Sequence, residues 1–294
     1  MFGKVEYAQA NELLNKKFNE KKVLIACHRG AWGGNVIENT RLSFQLSLDM
    51  GADMFECDIA QSTDGVLYAI HDGYEERFFG LKENIEKFSS KKIERLEYRN
   101  SLNHKSGVKV ERLEEVIAYF NKGELYNIDR AWQKLGKTLA MLDKYPYTSQ
   151  QALLKTPVDK VFLEKINQHE TKYMYMPIVR NLSEIERVLS YPNINLIGME
   201  LIAPTLDSEL FSKEIIDSLH EKKLFAWINS INLSISPAHV LFAGLDDQNG
   251  LSGGDAWGRL IDGGVDIIQT DWPLQLQRYR DKYLRINQKN ARNM

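Results

Sequence analysis

The stretch MFECDIAQSTDGVLYAIHD, residues 54–72, contains two apolar strand patterns, 54–61 and 66–72, joined only by Ser-Thr-Asp-Gly. This connection is too short for the helix that links parallel strands, and Asp-Gly favours a tight turn. The stretch therefore predicts an antiparallel hairpin that turns at Asp64 and Gly65. A two-residue turn at these positions would place Asp58 directly opposite His71.

On either side of this hairpin, short apolar strands alternate with helical patterns, which is typical of parallel βα units. The remaining strand patterns lie at 23–29, 125–129, 152–156, 174–179, 196–202, 224–230 and 265–271. Together with 54–61 they make eight strands, the number in a (β/α)8 TIM barrel. The sequence thus predicts an α/β protein, a TIM barrel with an extra antiparallel hairpin strand and a small insertion.

Composition fits one large domain. The 294 residues are 43% hydrophobic and 27% charged, with a net charge of −2, which gives the surface as a whole no attraction for nucleic acid. We expect a single domain over 1–294, with an N-terminal helix in 1–22 and an insertion, 73–112, over the carboxyl ends of the strands. The basic end, 278–294, is interpreted as a solvated helix or tail.

Targeting and redox signals are sparse. Residues 1–22 lack an apolar signal core, so a cytoplasmic location is expected, or a periplasmic or secreted one if a signal peptide was removed before residue 1. No run is long enough to span a membrane. Cys27 and Cys57 are expected to be buried free thiols that point away from the site described next.

Titratable residues cluster at the predicted strand ends, where TIM barrels carry their sites. His28 and Arg29 end the first strand, Glu56 and Asp58 share one face of the second, and Asp129 ends a later one. His71 ends the hairpin. Converging carboxylates would repel one another, and an oxygen-preferring cation such as Mg²⁺ or Ca²⁺ would relieve that repulsion.

These residue types suit metal-assisted phosphoryl transfer. Two histidines can serve as general base and general acid, while Arg29 and Lys155 can bind phosphate oxygens. Each residue also has a simpler interpretation, since strand-end histidines are often merely hydrogen-bonded, Asp129 could cap a helix and Lys155 could be a solvated strand end. The order of the motifs favours chemistry.

The same motifs resemble the glycerophosphodiester phosphodiesterase family. The matching motifs are His28-Arg29-Gly30, Glu38-Asn39-Thr40, Glu56-Cys57-Asp58, Thr63-Asp64-Gly65, His71-Asp72 and, late in the chain, FAWINSIN and GVDIIQTDWP. The resemblance implies a TIM-barrel enzyme that cleaves glycerophosphodiesters to an alcohol and glycerol 3-phosphate. It assigns His28 and His71 as the acid–base pair, Arg29 as a phosphate ligand, and Glu56 and Asp58 as metal ligands.

Two departures from the family pattern stand out. Where the family usually has Glu followed two residues later by Lys, this chain has Asp129 and Ala131, so Asp129 is the expected third metal ligand and Lys155 the expected substitute for the lysine. The long loop AGLDDQNGLSGGDAWG, 243–258, is expected to close over the alcohol group.

Two rival functions stay open. One is a related phospholipase acting on lysophospholipid or sphingolipid head groups, for which Phe78 and Phe79 are the candidate membrane wedge. The other is a barrel that binds phosphodiesters without cleaving them. The expected partner is a small-molecule glycerophosphodiester, with no nucleic acid and no stable membrane insertion, and the oligomeric state is left open.

Overall fold

The structure, a computed structural model, describes residues 1–205, 207–231 and 245–292, with side chains up to residue 286. All nine predicted strands form. The strands are β1 (Leu24–Cys27), β2 (Met54–Gln61), β3 (Leu67–Ala69), β4 (Glu97–Arg99), β5 (Lys105–Lys109), β6 (Glu111–Arg112), β7 (Leu125–Asp129), β8 (Ala152–Leu154), β9 (Met174–Tyr175), β10 (Ile178–Val179), β11 (Gly198–Leu201), β12 (Phe225–Asn229) and β13 (Ile267–Thr270).

Helices separate most of the barrel strands, as the alternating pattern predicts. They are α1 (Ala8–Lys21), α2 (Arg41–Asp49), α3 (Glu75–Phe79), α4 (Ser90–Ile93), α5 (Leu113–Tyr119), α6 (Leu135–Leu142), α7 (Thr148–Gln151), α8 (Lys160–Gln168), α9 (Leu182–Leu189), α10 (Lys213–Glu221), α11 (Asp247–Leu251), α12 (Ala256–Asp262) and α13 (Pro273–Arg292). In the described part of the chain, no helix combines the length and apolar character needed to cross a bilayer.

The main sheet closes into a (β/α)8 barrel. Its strands pair in the order β10, β11, β12, β13, β1, β2, β7, β8, β9, and every one of these pairs is parallel. β9 and β10 are two halves of the predicted strand 174–179, interrupted at Pro177, which cannot donate a ladder hydrogen bond. The order therefore returns to the strand at which it began.

The N-terminal helix closes the lower end of the barrel. Leu14 of α1 is fully buried in a cluster with inward-facing residues of the barrel strands, including Met54 and Trp227. Phe2 stacks on Phe225 with ring centroids 4.0 Å apart. Because this end is plugged, the interior opens at the carboxyl ends of the strands.

The hairpin forms, but its predicted register is wrong by one residue. Ser62 N–H donates to Val66 O (2.9 Å) and Gly65 N–H to Ser62 O (3.0 Å), so the loop contains three residues, 63–65, rather than two. Gly65 has φ +91°, as three-residue hairpin loops require. Ile70 N–H, rather than the His71 backbone, therefore lies opposite Asp58, donating to its carbonyl at 3.0 Å.

Residues 73–112 form a small lobe with its own core. β4 and β5 pair as a separate antiparallel hairpin, and β6 pairs with the outer edge of β3. Phe78 and Phe79 are 5% and 9% exposed within this core, beside Tyr98. They are thus unavailable as the membrane wedge considered from the sequence.

Two further expectations concern buried groups. Cys27 and Cys57 are buried free thiols in the layer between sheet and helices, as predicted.

The C-terminal helix is less solvated than expected, because Arg280 is 1% exposed and its guanidinium donates to Asp53 at 2.8 Å. This ion pair helps to hold α13 against β1.

Candidate active site

A cavity of about 200 Å³ opens at the carboxyl ends of the barrel strands. We call it the site cavity. Six of the seven site residues predicted from the sequence line it, and the exception is Lys155. The lining residues are His28, Arg29, Glu56, Asp58, His71, Asp129, Arg130, Trp132, Ile178, Arg180, Glu200, Ile202, Asn229, Ile231 and Gln269.

The segment between β1 and α2 holds the two carboxylates of β2 in place. Arg29 N–H donates to Glu56 Oε2 at 2.8 Å, and the Asn39 side chain both accepts from Asp58 N–H (2.9 Å) and donates to Asp58 Oδ2 (3.2 Å). Gly30 has φ +75°, and a Cβ there would lie 2.6 Å from the Ser43 backbone. The His-Arg-Gly motif therefore needs its glycine for close approach to α2.

Three residues of this region have left-handed backbone despite carrying side chains. Arg29, Asn39 and Arg130 have φ of +57°, +55° and +56°. Such conformations cost of order 1–3 kcal/mol each and cluster at functional sites. Their concentration around one cavity is an independent indication that this cavity is functional.

Arg29 is a buried arginine shared between two carboxylates. Its Nε lies 2.8 Å from Asp58 and its Nη1 lies 2.9 Å from Glu38, and only 7% of the residue is exposed. Glu38 in turn accepts from Arg77 of the insertion at 2.5 Å. The Glu-Asn-Thr motif thus supplies both the residue that orients Arg29 and the residue that orients Asp58.

Both histidines are held through Nδ1. His28 Nδ1 lies 2.9 Å from Asp271 Oδ1, and His71 Nδ1 donates to the Asp72 carbonyl oxygen at 2.5 Å. Burial lowers the pKa of His71, with Arg29 and Arg130 adding to the effect against the opposing influence of Asp58. A neutral imidazole anchored at Nδ1 has Nε2 free to accept a proton.

The three predicted metal ligands differ in their surroundings. Asp58 and Asp129 are register neighbours on β2 and β7. Burial raises the pKa of Glu56 well above its ordinary range, with Asp58 and Asp129 adding to it, and burial together with Glu200 and Asp58 raises that of Asp129 to about 6. Burial alone would raise the pKa of Asp58 as well, but Arg29 and the two histidines hold it low.

A buried charge network borders the cavity, and of its members sequence reasoning named Lys155 alone. Lys155 is fully buried, with Nζ 2.7 Å from Glu200 Oε2 and 3.2 Å from the Trp227 ring centroid. The contact between Lys155 and Glu200 is an ion pair whose geometry is not that of a hydrogen bond. Asn229 donates to Glu200 at 2.6 Å and accepts from Trp227 Nε1 at 2.7 Å. A lone glutamate within the apolar pattern LIGMELI was the available signal for Glu200.

The loop expected to close over the alcohol group, 243–258, is anchored to the barrel over its described part. Residues 243 and 244 lie outside the described residues, and 245–258 form α11 and the start of α12. The buried Asp247 carboxylate accepts from Ser230 Oγ (2.6 Å), Thr270 Oγ1 (2.8 Å) and Asp271 N–H (2.9 Å). This contact fixes the backbone of Asp271, the partner of His28.

The donor set suits a hard divalent cation. Glu56 Oε1 is buried with no hydrogen-bond partner, and three carboxylates face one cavity with raised pKa for two of them. Within the described residues, no three side chains of His, Cys, Asp or Glu are grouped closely enough to form a ready metal site. The Asp58 carboxylate faces Arg29 instead. The match between this cavity and a divalent cation therefore rests on the preference of such cations for carboxylate oxygens.

Comparison with known proteins decides the family. A model of the glycerophosphoryl diester phosphodiesterase family matches residues 28–274, which is most of the chain. The chain belongs to this family. Members of the family generally depend on a divalent cation.

Curated relatives align with part of the chain. It is 34% identical over 94 residues to a glycerophosphodiester phosphodiesterase of Bacillus altitudinis and 32% identical over 110 residues to one of Caldanaerobacter subterraneus. These matches cover 32% and 37% of this family member, and only 38% and 45% of the relatives. The chain therefore spans less than half the length of the curated relatives that it matches.

Solved structures match over a larger share. A glycerophosphoryl diester phosphodiesterase of Parabacteroides distasonis superposes with a TM-score of 0.71 at 19% identity, covering 87% of this chain and 85% of that one. An Oleispira antarctica phosphodiesterase, solved with the product sn-glycerol-3-phosphate, gives 0.65 at 16% identity, covering 88% and 96%. At these identities the similarity establishes the barrel fold.

Proposed function

We propose that this protein hydrolyses glycerophosphodiesters to an alcohol and glycerol 3-phosphate. The observation that carries the proposal is the convergence of His28, His71 and the carboxylates of Glu56, Asp58 and Asp129 on one cavity at the barrel mouth. The family match supports it, and so does the product bound by the Oleispira antarctica relative. The alternative of a barrel that only binds phosphodiesters is tested below.

The two histidines are proposed as the acid–base pair. One removes the proton from the nucleophile, and the other protonates the leaving alkoxide. A water nucleophile gives glycerol 3-phosphate directly, whereas attack by the 2-hydroxyl of the glycerol gives a cyclic phosphodiester that a water must then open. Asp271 keeps the His28 ring oriented, while the Asp72 carbonyl fixes the orientation of His71. The neutral state favoured at His71 is the one a base requires.

Arg29 is proposed to bind a non-bridging phosphate oxygen. Its guanidinium lines the cavity and is already oriented by Glu38 and Asp58, so little rotational freedom is lost when substrate binds. Lys155 is proposed to attract the phosphate electrostatically from a buried position next to the cavity. It does not reach the phosphate directly, because its ammonium is held by Glu200. Direct contact would require that ion pair to open.

A divalent cation, Mg²⁺ or Ca²⁺, is proposed to be held by Glu56, Asp58 and Asp129. When bound, such a cation polarises a phosphoryl oxygen and stabilises the negative charge that develops during displacement. The partnerless Glu56 Oε1 supports this assignment.

The proposal is tested by alcohol release from a panel of glycerophosphodiesters, with and without EDTA. The expected result is turnover of at least one substrate that chelation abolishes and added Mg²⁺ or Ca²⁺ restores. Tight binding of glycerol 3-phosphate without turnover of any substrate would instead support the non-catalytic alternative. Turnover that survives exhaustive chelation would contradict the metal assignment.

A further inference from the structure

The residues that line the site cavity come from opposite sides of the barrel mouth. Most of the proposed catalytic residues belong to β1, β2 and β7 or follow these strands directly. With β9 and β10 counted as one strand, β10 and β1 are four places apart in the ring of eight, so they face each other across the barrel. The lining residues that come from β10, β11, β12 and the positions just after them form what we call the far wall: Ile178, Arg180, Glu200, Ile202, Asn229 and Ile231.

The far wall carries two charged residues, Arg180 and Glu200, and they differ in their contacts. The Glu200 carboxylate lies 2.7 Å from Lys155 Nζ and accepts from Asn229 at 2.6 Å. The Arg180 side chain is exposed, and within the described part of the chain its guanidinium makes no hydrogen bond or ion pair. The guanidinium is therefore available to a ligand.

The acidic residues of the chain leave Arg180 without a counter-charge. The Arg180 backbone N–H donates to Glu184 Oε2 at 2.6 Å, and this bond engages the carboxylate without joining it to the guanidinium. The positions whose side chains lie outside the description, 206, 232–244 and 287–294, contain no Asp or Glu. An acidic partner for Arg180 therefore has to come from a ligand.

The other two arginines that line the cavity are already paired. Arg29 is held by two carboxylates, and Arg130 Nη2 lies 2.7 Å from Asp72 Oδ1. A guanidinium without such a partner presents planar donors that match a carboxylate or a phosphate, and its charge repels an ammonium group. Arg180 thus makes the far wall favourable for a negative group and unfavourable for a positive one.

The isoleucines around Arg180 strengthen this preference. Ile178 and Ile231 are 7% and 4% exposed, and Ile202 completes the apolar part of the far wall. Isoleucine side chains offer no hydrogen bonds, and apolar surface screens charge less than water does. A negative group beside Arg180 therefore gains more than it would beside a fully solvated arginine.

We infer that Arg180 selects substrates whose alcohol carries a negative charge. The phosphodiester lies against Arg29 and the two histidines, and the alcohol extends across the cavity to the far wall, where its carboxylate or phosphate meets Arg180. This inference rests on the proposed function and adds a specificity-determining residue to it.

The test compares two substrates that differ in one group. Glycerophosphoserine is glycerophosphoethanolamine with an added carboxylate on the alcohol. The wild-type kcat/KM should be about three- to tenfold higher for the serine diester, a ratio between those for a solvent-exposed ion pair and for a hydrogen bond to a charged group. The difference should lie in KM, because the carboxylate takes no part in bond cleavage, and it should shrink as salt is raised from about 0.05 M to about 0.5 M.

A second pair of substrates tests the phosphate in the same way. It consists of a diester whose alcohol ends in a phosphate monoester and the same diester without that group. Preference for either anionic substrate over its partner supports the inference, and the two pairs together show which anion Arg180 binds better. Preference for neither would overturn it.

Substitutions at Arg180 show whether this residue causes the preference. Arg180→Gln should bring the ratio of the serine to the ethanolamine diester to about one, Arg180→Glu should invert it, and Arg180→Lys should keep most of it. Arg187→Gln is the matched control, because it removes the same charge from an exposed position on α9 outside the cavity, and it should keep the wild-type ratio. Thermal melts check folding, which these exposed positions should leave unchanged.

The outcomes separate the inference from the proposed function. A wild-type ratio near one would overturn the inference and leave the proposed function standing. An equal fall in kcat/KM for both diesters in Arg180→Gln would also overturn it, because Arg180 would then contact the phosphate or glycerol that the two substrates share. Turnover of no diester, together with carboxylate-dependent calorimetric binding that Arg180→Gln removes, would overturn the proposed function and leave Arg180 as an anion-binding residue.

Discussion

Lys155 and Glu200 bury opposite charges beside a cavity already rich in carboxylates. Their ion pair is 2.7 Å long, and the two side chains are 0% and 7% exposed. Removing one member of such a pair leaves the other charged and desolvated, which costs far more than the pair itself contributes. The ion pair therefore matters mainly as a constraint on which substitutions are tolerated.

Lys155→Met should destabilise the protein by about 3–5 kcal/mol, because Glu200 would stay buried with only Asn229 to offset its charge. Urea unfolding measures the change. The double variant Lys155→Met/Glu200→Gln should recover most of the loss, since no buried charge is left unpaired. A loss below about 1 kcal/mol for the single variant would mean that Lys155→Met does not leave Glu200 as an uncompensated buried charge.

The hairpin of β2 and β3 shows how one residue of loop length sets a register. Asp-Gly predicted a two-residue turn, but the Thr63–Gly65 loop adds one residue and moves Ile70 opposite Asp58. His71 still lines the site cavity, one residue beyond the last backbone contact of the hairpin, which Ile70 N–H makes with the Asp58 carbonyl. The local sequence fixes the turn residues more firmly than the turn length.

Gly65→Val should destabilise the protein by about 1–3 kcal/mol, because φ +91° is strained for a β-branched residue. Specific activity per folded molecule should fall as well, since β3 leads directly into His71. Gly65→Asn is the matched control, because asparagine tolerates positive φ, and it should retain most of both properties. Wild-type specific activity after inserting one Ala between Asp64 and Gly65 would refute the coupling of hairpin register to the site.

The plug formed by α1 is the second element whose contribution can be measured. Leu14→Ala should lower the free energy of unfolding by about 2–5 kcal/mol, because it opens a cavity within the inner barrel cluster. Leu42→Ala, at a leucine 55% exposed on α2, should change it by less than about 0.5 kcal/mol. Equal effects in chemical denaturation would mean that α1 does not close the barrel.

At the scale of the whole molecule, the alternation of strands and helices predicted the barrel and all of its strands. Six of the seven predicted site residues line one cavity, five because parallel strands carry their carboxyl ends to the same face and His71 through the antiparallel hairpin. The ladder partner of Asp58 depended on the length of a local turn, whereas the burial of Lys155 and the contact of Asp271 with His28 depended on distant segments. The hydrophobic period and the secondary-structure propensity of a segment carry no information about such contacts, because each contact depends on which strands become neighbours.

Binding of a cation to the native protein should raise the free energy of unfolding of the whole molecule. Mg²⁺ or Ca²⁺ at about one hundred times its Kd should raise unfolding stability by about 2.7 kcal/mol, because the unfolded chain lacks the converged carboxylates. Glu56→Gln should largely abolish this gain, whereas Glu114→Gln, at a carboxylate that bonds Lys144 and Tyr145 far from the cavity, should keep it. A cation-induced shift in Tm that is the same in both variants would exclude Glu56 as a ligand.

We propose that His28 and His71 perform acid–base chemistry in one cavity. The most direct measurement is kcat for alcohol release by His28→Ala and His71→Ala, each shown to be folded by its thermal melt. We expect each substitution to lower kcat by about 10²–10⁴-fold while the melt stays near that of wild type. A folded variant of either histidine with near-normal kcat would contradict it.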